Sequence, residues 1–329
     1  MRLSSADIKA KAVELGFDLC GIAAADSFPE LSFLKEWLDR GYAGDMAWMS
    51  RSASRRSDVR AVMPDARSVI VTGTLYNADR PYSTELSDSR TALISRYAWG
   101  DDYHDVLHAR LERLLAWMRA ESDVPVNGRV YVDTGPVQER VYAQYAGLGW
   151  IGKNTCVINE HLGSWIFLSV VICSLPLEAD RAAFDRCGAC NLCIEACPTQ
   201  ALVGPHVLDA RRCLSYLTIE TRGDIPEAFR AAMGQHVYGC DICQEVCPYN
   251  QAPIHTTEPA WQPRAGLDQP TLADLWRHTD DELGRLVEGS AMTRPGVAGL
   301  RRNLAVAIAN SADKKAGDGT PRSPALRLR

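Results

Sequence analysis

CGACNLCIEACP, residues 187–198, sets four cysteines and a proline in a short run, and CDICQEVCP at 240–248 repeats its ending with one cysteine fewer. The first run fits C-x2-C-x2-C-x3-C-P, the bacterial spacing for cubane iron–sulfur clusters. Each iron of a cubane takes a soft thiolate in tetrahedral geometry, so three thiolates two residues apart can wrap one face. The fourth cysteine is expected to start a helix that points away and to ligate a neighbouring cluster. The second run lacks its first member, which Cys213 in ARRCLSYLTIE supplies most simply across the insertion 214–239. Two interleaved sets result: Cys187, Cys190, Cys193 and Cys247 for one [4Fe–4S] cluster, and Cys197, Cys213, Cys240 and Cys243 for the other. Structural zinc and a redox dithiol are the competing readings, but zinc favours paired C-x2-C rather than a three-then-one run with a trailing proline. Cys20, Cys156 and Cys173 remain; Cys20 and Cys173 read as buried, inert thiols, and nothing marks Cys156 as a nucleophile.

A second concentration of polar residues is VDTGPVQERVYAQYAGLGWIGKNT, 132–155. Asp133 stands at a strand end. It could donate a proton if burial raises its pKa, or it could cap the turn through Thr134-Gly135-Pro136. The glycines of GLGWIG resemble a phosphate loop only loosely. In ISRYAWGDDYHDVLH, 94–108, Arg96, Tyr97, Asp102 and His104 could face a pocket. Alternatively Asp102 caps a helix and His104 lies on its solvated first turn.

These residues need a scaffold, and the periodicities supply one. Ser4 or Ser5 caps a helix over 6–16, and a second helix covers 30–40. A basic loop, SRSASRRSDVR, fills 50–60, and RSVIVTGTLYN at 67–77 is strand-like. An amphipathic helix follows Asp101-Asp102, with Val106, Leu107, Leu111, Leu114, Leu115 and Met118 on one face. GRVYVDTG alternates as a strand, 137–147 is helical and ends at Gly147, and 164–175 is a buried strand. This mixture implies a layered α/β or α+β domain to about residue 175. Short helical pieces then accompany the cysteines, and helical patterns return at 271–288 and 295–310. The tail from 311 is polar and rich in Gly and Pro, as disordered segments are.

The chain has 329 residues, 46% hydrophobic and 23% charged, with a formal net charge of −5. It is no polycation, so any nucleic-acid contact needs a local basic face. The N-terminus has no apolar run of signal-peptide length, and no stretch is long enough to span a membrane. Eleven cysteines in that setting suit metal ligation in a reducing cytoplasm better than a disulfide framework. About 180 residues precede the first cysteine run, far more than a bare ferredoxin needs, which implies a domain that receives the electrons.

ISRYAWGDDYH, VDTGPVQERVYAQYAGLGWIGKNT, the eight cysteines, CLSYLTIE and YGCDICQEVCPYN together resemble the epoxyqueuosine reductases, over roughly residues 1–310. The resemblance implies a cytoplasmic, cobalamin-dependent iron–sulfur oxidoreductase of the last step of queuosine biosynthesis. Such an enzyme reduces epoxyqueuosine to queuosine at the wobble position of tRNA, using cob(I)alamin generated by electrons from two [4Fe–4S] clusters. For the fold class it implies α+β: a nitroreductase-like corrinoid-binding domain (1–176), a bacterial ferredoxin-like domain (177–255), a short, truncated helical-repeat region (256–310) and a tail (311–329). By carry-over, Asp133 matches the proton donor. Arg56, Tyr97, Asp133, Lys153, Asn154, Ser215, Tyr216 and Asp241 fall in cobalamin-binding segments, and Asp102, His104 and Arg140 in substrate segments. The D-x-H-x-x-G signature for a histidine ligand to cobalt is absent, because Leu107 stands where glycine should be; cobalamin would bind base-off. An external flavodoxin- or ferredoxin-type donor is implied, and a monomer expected. Arg51, Arg55, Arg56, Arg60, Arg301 and Arg302 are the candidates for tRNA phosphate contacts. The rival readings are a corrinoid dehalogenase, which usually carries a twin-arginine signal not visible here, an electron-transfer module, and an RNA-binding protein with structural clusters.

Overall fold

The computed structural model describes residues 3–316. Four antiparallel strands form the main sheet in the order Leu19–Ala24, Ser68–Leu75, Ile166–Cys173, Gly128–Tyr131. Both faces are covered, which is why the central strands read as continuous apolar runs. On one face Ile70, Val171 and Cys173 pack on Leu107, Leu111 and Leu114 of the helix Tyr103–Glu121 and on Ile8 and Ala12 of the helix Ser5–Glu14. On the other, Val69, Val71, Val170 and Ile172 pack on Val141 and Tyr142 of the helix Glu139–Tyr145. The alternation follows from the two-residue period of a strand.

Helix starts match their caps. Ser4 accepts from Asp7 N–H in a capping box, and Asp102 accepts from His104 N–H at 3.0 Å. The stretch 50–60, expected as a basic loop, is instead largely helical, in Ala47–Arg56. Its buried residues are Ser52 and Arg56, so it has no apolar periodicity to betray it. Cys197 also differs from expectation: it closes the short helix Leu192–Ala196 rather than opening one.

The pattern at 271–288 resolves into two helices, Leu272–Arg277 and Asp280–Val287, with Thr279 capping the second through Glu282. The last helix, Gly296–Ala316, runs past the expected end at 310, so the start of the expected tail is helical; residues 317–329 lie outside the described residues. These helices share a core with Leu214, Leu217, Val237 and Tyr238. Fully buried Asn303 ties them to it, its amide donating to Thr218 O at 2.7 Å and Val237 O at 2.9 Å. Asn303→Ala should leave both carbonyls unpaired and cost roughly 1–3 kcal/mol for each; a urea unfolding midpoint measures the loss.

One pairing joins the two halves of the chain. Leu93–Ile94 runs parallel to His236–Tyr238, setting Ser95, Arg96 and Tyr97 beside Cys240 and Asp241. Among the described residues no helix is long and apolar enough to cross a membrane.

Candidate functional site

The seven cysteines of the two runs and Cys213 are free thiols, and the fold gathers them into two groups. Burial pushes up Cys193, and Cys187 and Cys190 push it further. Burial likewise raises Cys247 to about 11, and the same three sulfurs act on it although it stands in the second run. Cys213 responds to burial and to Cys197, Cys240 to burial and to Cys213, and Cys243 to burial and to Cys240 and Cys213. Backbone N–H groups already face several sulfurs: Ala201 N lies 3.2 Å from Cys197 Sγ, and Ser215 and Tyr216 N–H point at Cys213. Four mutually repelling thiols are stable as thiolates only around a cationic core, which inverts their pKa logic. Among the described residues no three Cys, His, Asp or Glu groups are placed to hold a lone metal ion.

The turn after strand Trp150–Ile151 touches both groups. Lys153 Nζ donates to Gly188 O at 2.7 Å, Cys190 O at 2.8 Å and Asn191 Oδ1 at 3.0 Å, all in the first cysteine loop. Asn154 Nδ2 donates to Cys243 O at 3.1 Å, in the second. Thr155 holds a left-handed φ of 68°, and the Cys156 thiol is pushed up to about 12 by burial, with Cys213 and Cys247 among its neighbours. Lys153 and Asn154, expected in cobalamin-binding segments, therefore fasten the cysteine loops.

Asp133 occupies the turn after strand Gly128–Tyr131 with φ 55°, a left-handed value that Asp and Asn tolerate better than other side chains. Its Oδ2 accepts from Tyr103 OH at 2.9 Å and lies 3.6 Å from His104 Nε2, while His104 Nδ1 contacts Asp102 Oδ1 at 2.7 Å. Burial works to raise the Asp133 carboxyl, but His104, Tyr103 and Arg140 outweigh it and hold the carboxyl below its usual value. Burial works to lower His104, but Asp102 and Asp133 raise it to about 9. The Asp133 side chain is nevertheless 67% exposed. Open to solvent on one side and flanked by His104, Tyr103 and Arg140 on the other, it can be reached by a ligand. Asp102 thus serves as helix cap and histidine partner at once.

Two buried polar atoms near Asp133 and Arg56 have no partners. Glu139 Oε1 and Trp48 Nε1 are buried and unsatisfied. Glu139 is pushed up to about 8, first by burial and then by Asp133. Arg56 stacks on Trp48, and its guanidinium donates to Val137 O at 2.8 Å and Ser52 Oγ at 2.9 Å. Buried orphans of this kind suit a large ligand edged with amides, as a corrin is. Tyr97 shares a hydrogen bond of 3.0 Å with Tyr238, and Arg140 donates to Thr155 O at 2.7 Å.

Other expected residues point elsewhere. Tyr216 OH accepts from Asp45 N–H at 2.7 Å, and its ring belongs to the helical core; Ser215 adjoins Cys213. Asp241 bonds Ser95 Oγ and accepts from Arg96 N–H at 2.7 Å, with burial raising it to about 6. Among the phosphate candidates, Arg301 and Arg302 are turned inward, to Trp276 O at 2.9 Å and Leu217 O at 2.9 Å respectively. Arg60 pairs with Asp58, and Arg56 is buried. Arg51 and Arg55 remain exposed on their helix. Sequence reasoning passed over Tyr103 and Glu139 as site residues; a carboxylate six residues after Asp133 on a short helix start carried no distinguishing signal.

Comparison with known proteins completes the site. Residues 186–250 match the family model described as a 4Fe-4S double cluster binding domain, and residues 56–134 match that of epoxyqueuosine reductase QueG, DUF1730. An epoxyqueuosine reductase of Xanthomonas campestris pv. campestris is 42% identical over 94% of this chain and 87% of its own length. The Escherichia coli K12 protein of that name is 40% identical over 92% of this chain and 80% of its own. A crystal structure of epoxyqueuosine reductase with a tRNA-Tyr epoxyqueuosine-modified stem loop superposes with a TM-score of 0.85 at 31% identity, covering 94% of this chain and 82% of that one. A Bacillus subtilis epoxyqueuosine reductase, with its catalytic aspartate loop swung out of the active site, gives 0.83 at 29% identity, covering 94% and 82%.

Proposed function

The chain belongs to the epoxyqueuosine reductase family, and from that premise we propose how its residues remove the epoxide oxygen of epoxyqueuosine in tRNA. One observation carries the reading. Asp133 Oδ2 accepts from Tyr103 OH at 2.9 Å and lies 3.6 Å from His104 Nε2, an acid–base pair in the part of the chain that precedes the cysteines. The first set, with exposed Gly188, Ala189 and Asn191 in its loop, takes electrons from outside and passes them to the second.

Bound base-off beside Asp133, cobalamin would supply a low-valent cobalt centre to the epoxide carbon or oxygen, and Glu139, Trp48 and Arg56 are the residues that would hold its edge. The overall change takes two electrons and two protons, releases water and leaves an alkene. Asp133 delivers a proton to the departing oxygen. Its carboxyl is ionised at rest, so the proton is stored on His104 Nε2 and reaches the oxygen through Asp133 Oδ2, while Tyr103 keeps that oxygen atom oriented. Asp102 holds the imidazole ring in place. Arg51 and Arg55 contact phosphates of the tRNA. The donor is a flavodoxin- or ferredoxin-type protein, and the enzyme works as a cytoplasmic monomer.

The stored proton sets a pH limit. His104 titrates near 9, above its ordinary 6.5, so it is charged at neutral pH and loses its proton as pH rises through about 9. Turnover should fall across that range, and His104→Gln should abolish this alkaline limb while lowering the plateau. The function itself is tested by anaerobic reconstitution with iron, sulfide and cobalamin, followed by reduction with an epoxyqueuosine-bearing stem-loop. Mass spectrometry should show loss of one oxygen atom, dependent on cobalamin; an unchanged stem-loop with both clusters loaded would end the proposal.

A further inference from the structure

The turn Gly152–Cys156 places a fixed positive charge against one cysteine loop and a neutral amide against the other. Lys153 has three N–H donors, and all three are taken by the loop that carries Cys187, Cys190 and Cys193. The contacts run to two backbone carbonyls and an asparagine side chain, so no carboxylate cancels the charge at these positions. Asp185, the nearby acid in sequence, accepts from Cys187 N–H at 2.8 Å and lies 3.7 Å from His206. Arg186 is paired with Glu160. Asn154, the next residue of the turn, gives the second loop a hydrogen bond without a charge.

We propose that Lys153 raises the reduction potential of the cluster held by Cys187, Cys190, Cys193 and Cys247, acting as a positioning residue for electron entry. When this all-thiolate cluster takes one electron from its donor, its net charge becomes more negative by one. A cation held in place beside the loop stabilises that reduced form more than the oxidised one. Electrons from an outside donor are then accepted more readily at this cluster, while the second cluster, to which this turn offers only the uncharged Asn154 amide, is unaffected.

The inference rests on the assignment of two [4Fe–4S] clusters to these cysteines. Its test is a redox titration of the reconstituted holoprotein with dithionite and mediators, followed by electron paramagnetic resonance, in wild type, Lys153→Gln and Lys153→Arg. Lys153→Gln should disfavour reduction of the first cluster about tenfold, which is 59 mV for a one-electron couple, and leave the second where it was. Lys153→Arg should keep the wild-type value. An unmoved potential in Lys153→Gln with both clusters present overturns the proposal, as does an equal fall in Lys153→Arg. Should Lys153→Gln fail to load the first cluster, Asn191→Asp carries the same test. Its added carboxylate faces Nζ and cancels the charge, so the same downward shift is expected and its absence overturns the role. A wild-type protein without two reducible clusters would instead sink the cluster assignment.

Discussion

Asp133→Asn should retain both clusters and bind cobalamin, yet lose turnover by about 10²–10⁴-fold, the usual worth of a positioned acid or base. The substitution isolates chemistry from folding. Residue 133 has φ 55°, and Asn occupies that region as readily as Asp, so the turn keeps its shape. The amide oxygen can still accept from Tyr103 OH, whose bond to Asp133 Oδ2 is 2.9 Å. What the amide cannot do is take the proton of His104 and pass it on. Iron content, cobalamin absorbance and single-turnover rate, measured on one preparation, separate the outcomes. Wild-type turnover in the variant would reduce Asp133 to the turn cap that its sequence position equally allowed.

Cys247→Ser should impair the cluster whose other ligands lie 54 to 60 residues earlier, in the first run. Buried Cys247 packs with Cys187, Trp150 and Ile158, and its thiol answers to Cys187, Cys193 and Cys190. Its own run contributes Cys240 and Cys243 to the other group. Paired substitutions make the interleaving visible. Cys187→Ser with Cys247→Ser should remove about half the iron and sulfide, because both serve one cluster, and Cys240→Ser with Cys247→Ser should remove nearly all of it. Turnover should vanish in both, since electrons have no complete route. Equal iron loss in the two double variants would contradict the pairing.

Thiolate spacing dictated by a cluster carried the expected grouping of the cysteines in the sequence and pointed to Cys213 across a long insertion; the fold sets Cys247 beside Cys187 and Cys213 near Cys197. The main strands and the long helix after Asp102 were legible too, since burial of both sheet faces leaves apolar runs and a helical stripe. Other features were hidden for physical reasons. The helix Ala47–Arg56 buries a serine and an arginine, so polarity masked it. Strand Leu19–Ala24 is short, with two alanines and a glycine, and carries little β-branched signal. Lys153 and Asn154 were recognisable as polar residues after a glycine turn, but which loop they would face depends on long-range packing. Arg301 and Arg302 looked like phosphate ligands in sequence; in the fold they satisfy backbone carbonyls. The double role of Asp102, as cap and as partner of His104, could not be split by local pattern, because one carboxylate performs both.

The most direct test of the account asks whether the clusters themselves provide the electrons that reach the epoxide. Holoprotein is reduced anaerobically, freed of excess reductant, and mixed with the epoxyqueuosine stem-loop, and reduced-cluster signal and deoxygenated product are followed together by freeze-quench resonance and mass spectrometry. The account predicts that the signal decays in step with product, two electrons for each oxygen atom removed. Product formed while the clusters stay reduced, or clusters oxidised with no product, would contradict it.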